Sequence, residues 1–114
     1  HQGQGGEAMI ATQIARIIAN FILFLELTDD EILDSDAAVE MMEDVGAGLD
    51  ALDKGFLREL VDAFAVIAPE YSGESQDLVR DIPYGFYLEE TLAEGDPARL
   101  AELGALREAR AAKL

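Results

Sequence analysis

The sequence predicts an all-α protein, a single compact domain of about five helices packed around an apolar first helix. Alanine, leucine, glutamate and aspartate dominate the chain, whereas it has three prolines and no tryptophan, a bias that favours helix over strand. Apolar residues recur at helical intervals, and no segment alternates as a half-buried strand would. Half of the 114 residues are apolar, which is enough to build one folded core.

The first eight residues, HQGQGGEA, have the composition of an expression-tag remnant, a histidine followed by a linker rich in glycine and glutamine. We therefore expect the native chain to start at Met9. The predicted helical domain occupies residues 9–114.

The segment Met9–Leu27 is the most apolar part of the chain and predicts the first helix. Its polar residues Thr12, Arg16 and Asn20 recur every four positions and form one narrow stripe, with apolar side chains around the rest of the helix. A helix of this length can span a bilayer, but an arginine and an asparagine inside the span would cost several kcal/mol. The prediction is a buried core helix.

The second helix is predicted from Asp36 to about Leu52, with Ser35 or Asp36 as its N-cap. Gly46 and Gly48 each cost a helix about 1 kcal/mol relative to alanine. We expect both glycines to permit a close approach to the first helix. The predicted apolar face is Val39, Met42, Val45, Gly46, Leu49 and Leu52.

The third helix is predicted to begin after an Asp53 N-cap, with Leu52 and Leu57 as a hydrophobic staple. Pro69 ends it, because the residue before a proline is pushed out of helical geometry. The predicted buried face is Phe56, Leu57, Leu60, Val61, Phe64 and Ile67.

The remaining chain predicts a fourth helix that begins at about Gln76, is interrupted after Ile82 by an irregular turn at IPYGF, and resumes at Tyr87 to about Ala93, closed by Gly95. The boundary that follows is the clearest in the sequence. Asp96 is a typical N-cap, and Pro97 stands at the first helical position, where its missing amide costs nothing. The predicted inner stripe of this last helix is Leu100, Leu103, Leu106 and Ala109.

The formal charge of −16, from 24 acidic against eight basic residues, disfavours nucleic acid and anionic membrane as partners. A basic protein is the electrostatically natural partner. The alternative is an acidic surface that serves solubility alone. Cysteine is absent from the sequence, so thiolate metal sites and disulfides are excluded.

Eleven carboxylates and not one basic residue lie between Glu26 and Asp53. A calcium loop is excluded, because frames starting at Asp29 and Asp34 place Leu33 and Ala38 where an oxygen ligand is required. His1 is the only histidine, which removes the usual zinc, di-metal and triad chemistries. We expect a protein that is not an enzyme and that has no cofactor and no metal site.

The candidate partner-binding residues form two groups. Acidic residues of the second helix fall opposite its apolar face, where carboxylates three or four positions apart repel one another. Two tyrosines in DIPYGFY follow the pattern of a protein–protein hot spot, although core filling is the alternative for them. The candidates are Asp36, Glu40, Glu43, Asp44, Asp50, Tyr84 and Tyr87.

Two resemblances follow from these residues. The run FILFLELTDDEILDSDAAVEMMED resembles the opening of a family of small acidic bacterial proteins of unassigned activity. The acidic helix with tyrosines nearby is similar in plan to colicin DNase immunity proteins, although DIPYGFY is not their tyrosine motif and the first helix here is more apolar. That resemblance implies an inhibitor that blocks a cationic nuclease.

The sequence therefore predicts a non-enzymatic binding protein that engages a basic protein partner, as an immunity or antitoxin-like inhibitor does. The first alternative is a structural or self-associating protein, a homodimer formed through Phe21 and Phe24 of the first helix. The second is a small-molecule or lipid binder with a cavity between helices. A secretory signal would carry a positive charge before its apolar run and small residues after it. Neither is present, so we expect a cytoplasmic location.

Overall fold

The computed structural model describes the backbone of residues 2–113 and the side chains of residues 9–113. It confirms the all-α class, because no strand occurs in this part of the chain. The predicted tag remnant, residues 1–8, lies outside the described side chains, and the helical backbone begins at residue 2 rather than at Met9. The helices are α1 (Gln2–Leu27), α2 (Ser35–Asp50), α3 (Lys54–Ile67), a 3₁₀ turn (Ala68–Glu70), α4 (Gly73–Arg80), α5 (Ile82–Gly85), α6 (Leu88–Leu92) and α7 (Pro97–Ala112).

Aspartate side chains cap three of these helices. Asp53 and Asp96 accept hydrogen bonds from the amides of Phe56 and Arg99, at 3.1 Å each, as predicted. Neither Ser35 nor Asp36, the predicted N-caps of α2, caps that helix, since Asp34 accepts the Ala37 amide at 3.0 Å. Such caps satisfy amides that have no partner within the helix.

The core lies between α3 and one face of α1. The predicted buried face of α3 is confirmed at Leu57, Leu60, Val61, Phe64 and Ile67, while Phe56 is only partly buried. The opposing face of α1 consists of Ala11, Ala15, Ala19 and Ile22, all buried. Because alanines recur there every four residues, the backbones of α1 and α3 can approach closely.

No other helix covers the opposite side of α1 within the described residues. The prediction that the first helix is a buried core helix is therefore confirmed for one face only. Ile10, Ile17 and Phe24 recur at intervals of seven and are 53%, 65% and 50% exposed. Met9 and Leu27 are also exposed, and we call these five residues the apolar face of α1. Residues 9–27 are long and apolar enough to cross a membrane, and 28% of that span is buried, but a core helix of a soluble protein has similar length and composition.

The fourth predicted helix is divided into α4, α5 and α6, so the predicted number of five helices is not confirmed. Tyr87 causes the second division, because its φ of 57° is left-handed and a right-handed helix cannot run through it. A left-handed backbone is disfavoured for a residue with a Cβ atom. Sequence reasoning placed the irregularity at Pro83 and Gly85, both of which lie within α5.

The last helix, α7, buries little of its predicted stripe. Leu103 is buried, whereas Leu100 and Leu106 are 38% and 59% exposed and Ala109 is exposed as well. The predicted inner stripe was therefore wrong at three of its four positions. Contacts of its arginines hold α7 on the rest of the molecule instead, and they involve both of the predicted tyrosines.

Candidate partner-binding surface

All five acidic residues predicted on α2 are exposed, and they divide between two faces. Asp36, Glu40 and Asp44 recur every four residues on the outer face of the helix, toward solvent. Glu43 and Asp50 lie on the side of α2 that borders a groove.

The groove has a volume of about 720 Å³ and lies between α2, the end of α1, the connecting loop and the turn that follows α5. Its lining is apolar at Leu25, Leu33, Val39, Met42 and Phe86. Four carboxylates also line it, and neither lysine nor arginine does. The carboxylates are those of Glu26, Asp30, Glu43 and Asp50.

The groove is open because α2 covers little of its own apolar face. Leu49 is the only residue of α2 that is buried, while Met42 and Val45 are partly buried and Val39 is 56% exposed. The helix lies close to the rest of the molecule at Gly46, where an added Cβ atom would be 3.1 Å from the ring of Phe86.

The two glycines of α2 do not have the predicted role. Gly46 accommodates a phenylalanine from the turn after α5, not the first helix. A Cβ atom at Gly48 would meet no atom within 4 Å, so nothing in the structure requires a glycine there. Sequence reasoning missed Phe86 as a site residue, although its place in DIPYGFY was a signal for it.

The carboxylates of residues 26–53, which we call the acidic segment, form no ion pair within the described part of the chain. Asp34 and Asp53 act as caps, and Asp50 accepts a hydrogen bond from the Thr91 hydroxyl at 3.0 Å. The basic residues pair elsewhere, with acids outside the acidic segment. Those paired basic residues are Arg16, Lys54, Arg58, Arg80, Arg99, Arg107 and Arg110.

The rings of Tyr84 and Tyr87 stack on arginines of α7. The Arg107 guanidinium lies 4.0 Å from the centre of the Tyr84 ring and 3.7 Å from that of Tyr87, and Arg110 lies 3.8 Å from the Tyr84 ring. Stacking of this kind is favourable because the ring face carries negative charge density. Both tyrosines therefore help to hold α7.

Neither tyrosine lines the groove. Tyr84 is half-buried and borders a neighbouring cavity of about 320 Å³, which shares Glu26, Met42 and Phe86 with the groove. Tyr87 is 56% exposed. The structure thus brings one of the two predicted tyrosines close to the acidic helix.

Arg107 also forms the most buried ion pair among the described residues. Its guanidinium donates to both carboxylate oxygens of Glu90, at 2.6 and 3.2 Å, and to the Tyr84 carbonyl at 2.7 Å. The hydrogen bond from Arg107 lowers the pKa of Glu90 below its ordinary value. Arg58 lowers the pKa of Glu89 in the same way. These pairs fix α3, α6 and α7 to one another, and none of their residues belongs to the acidic segment.

Among the described residues, no three side chains of histidine, aspartate or glutamate are grouped so that they could hold a metal ion. The acidic segment therefore presents separate carboxylates spread along a surface. Carboxylates in this arrangement produce a negative potential over that part of the surface.

Comparison with protein-family models, with curated proteins and with solved structures finds no match to this chain. The function is therefore argued from the geometry and charge of its own residues.

Proposed function

We propose that this chain is a non-enzymatic binding protein whose acidic segment engages a basic protein partner. The resemblance in plan to colicin DNase immunity proteins narrows the proposed partner to a cationic nuclease-type toxin, which the chain would inhibit. The observation that carries the proposal is charge segregation. Seven basic residues are paired outside the acidic segment, while its own carboxylates form no ion pair in the described structure.

Charge segregation has a cost for the isolated protein, because neighbouring carboxylates on one helix repel by a few tenths of a kcal/mol per pair. Lysines among them would form stabilising pairs instead, at i,i+4 spacing. A basic partner supplies those missing cations. It would also be steered toward the surface, which raises association rates and makes them fall steeply with salt.

Affinity capture from the native cell tests the proposal. The matched bait is the variant Asp36→Asn/Glu40→Gln/Glu43→Gln/Asp44→Asn, which removes four charges from exposed positions of one helix. We expect the wild-type chain to retain a basic protein and the variant not to retain it. The retained protein should be released between 0.1 and 0.5 M NaCl, a range over which the Debye length falls from about 10 Å to about 4 Å. Equal retention by both baits, or retention of acidic proteins alone, would contradict the proposal.

A second candidate function is self-association through the apolar face of α1. The specific observation in its favour is the seven-residue spacing of Ile10, Ile17 and Phe24, each about half or more exposed. That spacing is the one at which two helices form a coiled-coil seam. Phe21, the other residue predicted for such a dimer, is partly buried and contributes less exposed surface.

Sedimentation equilibrium of Ile17→Ser/Phe24→Ser distinguishes the two candidates. A self-associating chain would lose its concentration-dependent mass in this variant and keep it in the control Ile32→Ser/Val66→Ser, whose original side chains are 79% and 66% exposed elsewhere on the surface. A wild-type chain that is monomeric at 100 times the lowest measurable concentration would rule self-association out.

A further inference from the structure

We infer that the groove beside α2 receives a cationic amphipathic helix from the partner. This inference rests on the proposed function and gives it a location and a ligand shape. It begins from the two kinds of side chain that the groove combines, an apolar floor and carboxylates contributed by both of its walls.

The floor supplies the apolar half of the recognition. Val39 is 56% exposed, and Met42 and Phe86 are partly exposed, so an entering side chain can contact all three. Methionine is unbranched and flexible, which lets it adapt its shape to different apolar side chains. A polycation without apolar residues would leave this floor in contact with water.

The walls supply the charge. Glu26 lies in the last turn of α1 and Asp30 in the loop that follows, whereas Glu43 and Asp50 come from α2. Since no lysine or arginine lines the groove, nothing on this chain neutralises these carboxylates there. Cationic residues of a ligand would fill that role, and an acidic or neutral ligand would not.

The dimensions fit a helix. At 1.5 Å per residue, the groove-lining part of α2 from Ser35 to Asp50 is about 22 Å long, or about four helical turns. Glu43 and Asp50 lie seven residues apart, about 10 Å along the axis. A ligand helix running beside α2 would match them with lysine or arginine at positions i and i+7. Its apolar stripe would then face the groove floor, a recurring mode of peptide recognition.

Two 18-residue peptides of identical leucine and lysine composition test the inference, one with leucines on a single helical face and the other scrambled. Fluorescence anisotropy gives the affinity of each for the full chain. We expect the amphipathic peptide to bind about tenfold more tightly than the scrambled one. If neither peptide binds in a salt-dependent manner, the proposed function fails together with the inference.

Charge variants locate the binding site. Glu26→Gln/Glu43→Gln removes two carboxylates from the groove, and Glu40→Gln/Asp44→Asn removes two from the outer face of α2, so the net charge is identical. We expect the groove variant to lower the affinity for the amphipathic peptide about tenfold and the outer-face variant to lower it about twofold or less. If both charge variants lose affinity equally and the two peptides bind equally well, the groove is not the binding site, while the proposed function still holds.

A neutral variant tests the apolar contact. Ala47→Phe introduces a ring from an exposed position that lines the groove, and Ala51→Phe adds the same ring one turn further on, outside it. We expect Ala47→Phe alone to block the amphipathic peptide, and unchanged affinity would overturn the inference. If Ala47→Phe instead converts an oligomeric wild type to a monomer in sedimentation, a second copy occupies the groove and the inference is wrong. Should this variant fail to fold, as circular dichroism would show, the exposed charge pairs decide the question.

Discussion

At the scale of single residues, Arg107 does more than any other described side chain to position α7. Its one guanidinium bridges the Glu90 carboxylate, donates to the Tyr84 carbonyl and lies against two tyrosine rings. A planar guanidinium can make all of these contacts at once, and an ammonium group cannot. Leu103 is the only buried residue of α7, so apolar burial contributes little to holding this helix in place. The ion pair between Arg107 and Glu90 contributes there what apolar packing contributes in α3.

The lowered pKa of Glu90 leads to a pH-dependent prediction. A carboxylate whose pKa is lower in the folded state stabilises the fold above its unfolded pKa, and that contribution is lost as the pH falls through the folded value. We expect Glu90→Gln to lower the free energy of unfolding by about 1–3 kcal/mol at pH 7. This deficit should begin to shrink below the ordinary glutamate value of 4.5 and vanish at lower pH.

Urea unfolding of wild type and Glu90→Gln from pH 3 to pH 7 measures this difference. The control is Glu102→Gln, which removes a carboxylate from an exposed pair with Arg99 on the surface of α7. Exposed pairs of this kind contribute little, so the control should remain close to wild type throughout. A deficit for Glu90→Gln that stays constant across the pH range would contradict the assignment.

The two glycines of α2 make a second prediction at this scale. Gly48→Ala should stabilise the protein by about 0.5–1 kcal/mol, because alanine is the better helix former and its methyl group meets nothing within 4 Å. Gly46→Ala gains the same propensity, but its methyl group would lie 3.1 Å from Phe86 and force that ring to move. Thermal unfolding should therefore rank Gly48→Ala above Gly46→Ala, and equal melting temperatures would show that Phe86 yields freely.

At the scale of helices, the sequence predicted the features that adjacent residues determine. It did not predict the features that depend on which other helix packs against a given face. The caps Asp53 and Asp96 and the buried face of α3 are readable because a few adjacent residues determine them. Which part of an apolar helix meets the core is a different question. The face of α1 that contains Ala11, Ala15, Ala19 and Ile22 packs on α3, whereas the face that contains Ile10 and Ile17 stays exposed, and the helix's own sequence does not decide between the two.

The candidate site was predictable in the same limited sense. The acidic residues of α2 were expected to be exposed, and they are. Their division between an outer face and a groove depends on Phe86, whose contact with Gly46 joins residues 40 positions apart. The stacking of Tyr84 and Tyr87 on Arg107 is equally nonlocal. Spacing alone contains no information about either contact.

The helices also differ in how firmly they are held, which leads to a prediction about α2. Six residues of α3 are buried but only one of α2. Helices with few buried contacts open locally at lower free energy than the core. We expect the amides of α2 to exchange with solvent at a lower opening free energy than those of α3 in native-state hydrogen exchange. Equal protection of the two helices would show that α2 unfolds only with the whole domain.

At the scale of the whole molecule, the charge distribution should govern how stability responds to salt. With a net charge of −16 and an acidic segment that has no ion pairs in the described structure, repulsion between carboxylates opposes folding. Sodium chloride shortens the range of that repulsion, from about 10 Å at 0.1 M to about 3 Å at 1 M. We therefore expect the melting temperature to rise with NaCl over this range.

The variant Glu40→Gln/Asp44→Asn lacks two carboxylates of the outer face of α2. Its melting temperature should be higher than that of the wild type at low salt and should rise less with added NaCl. Its counterpart Asp77→Asn/Glu102→Gln loses the same charge from groups that pair with Arg80 and Arg99, so it should show no such gain. If the two variants respond to salt alike, repulsion is spread over the whole surface and is not concentrated in the acidic segment.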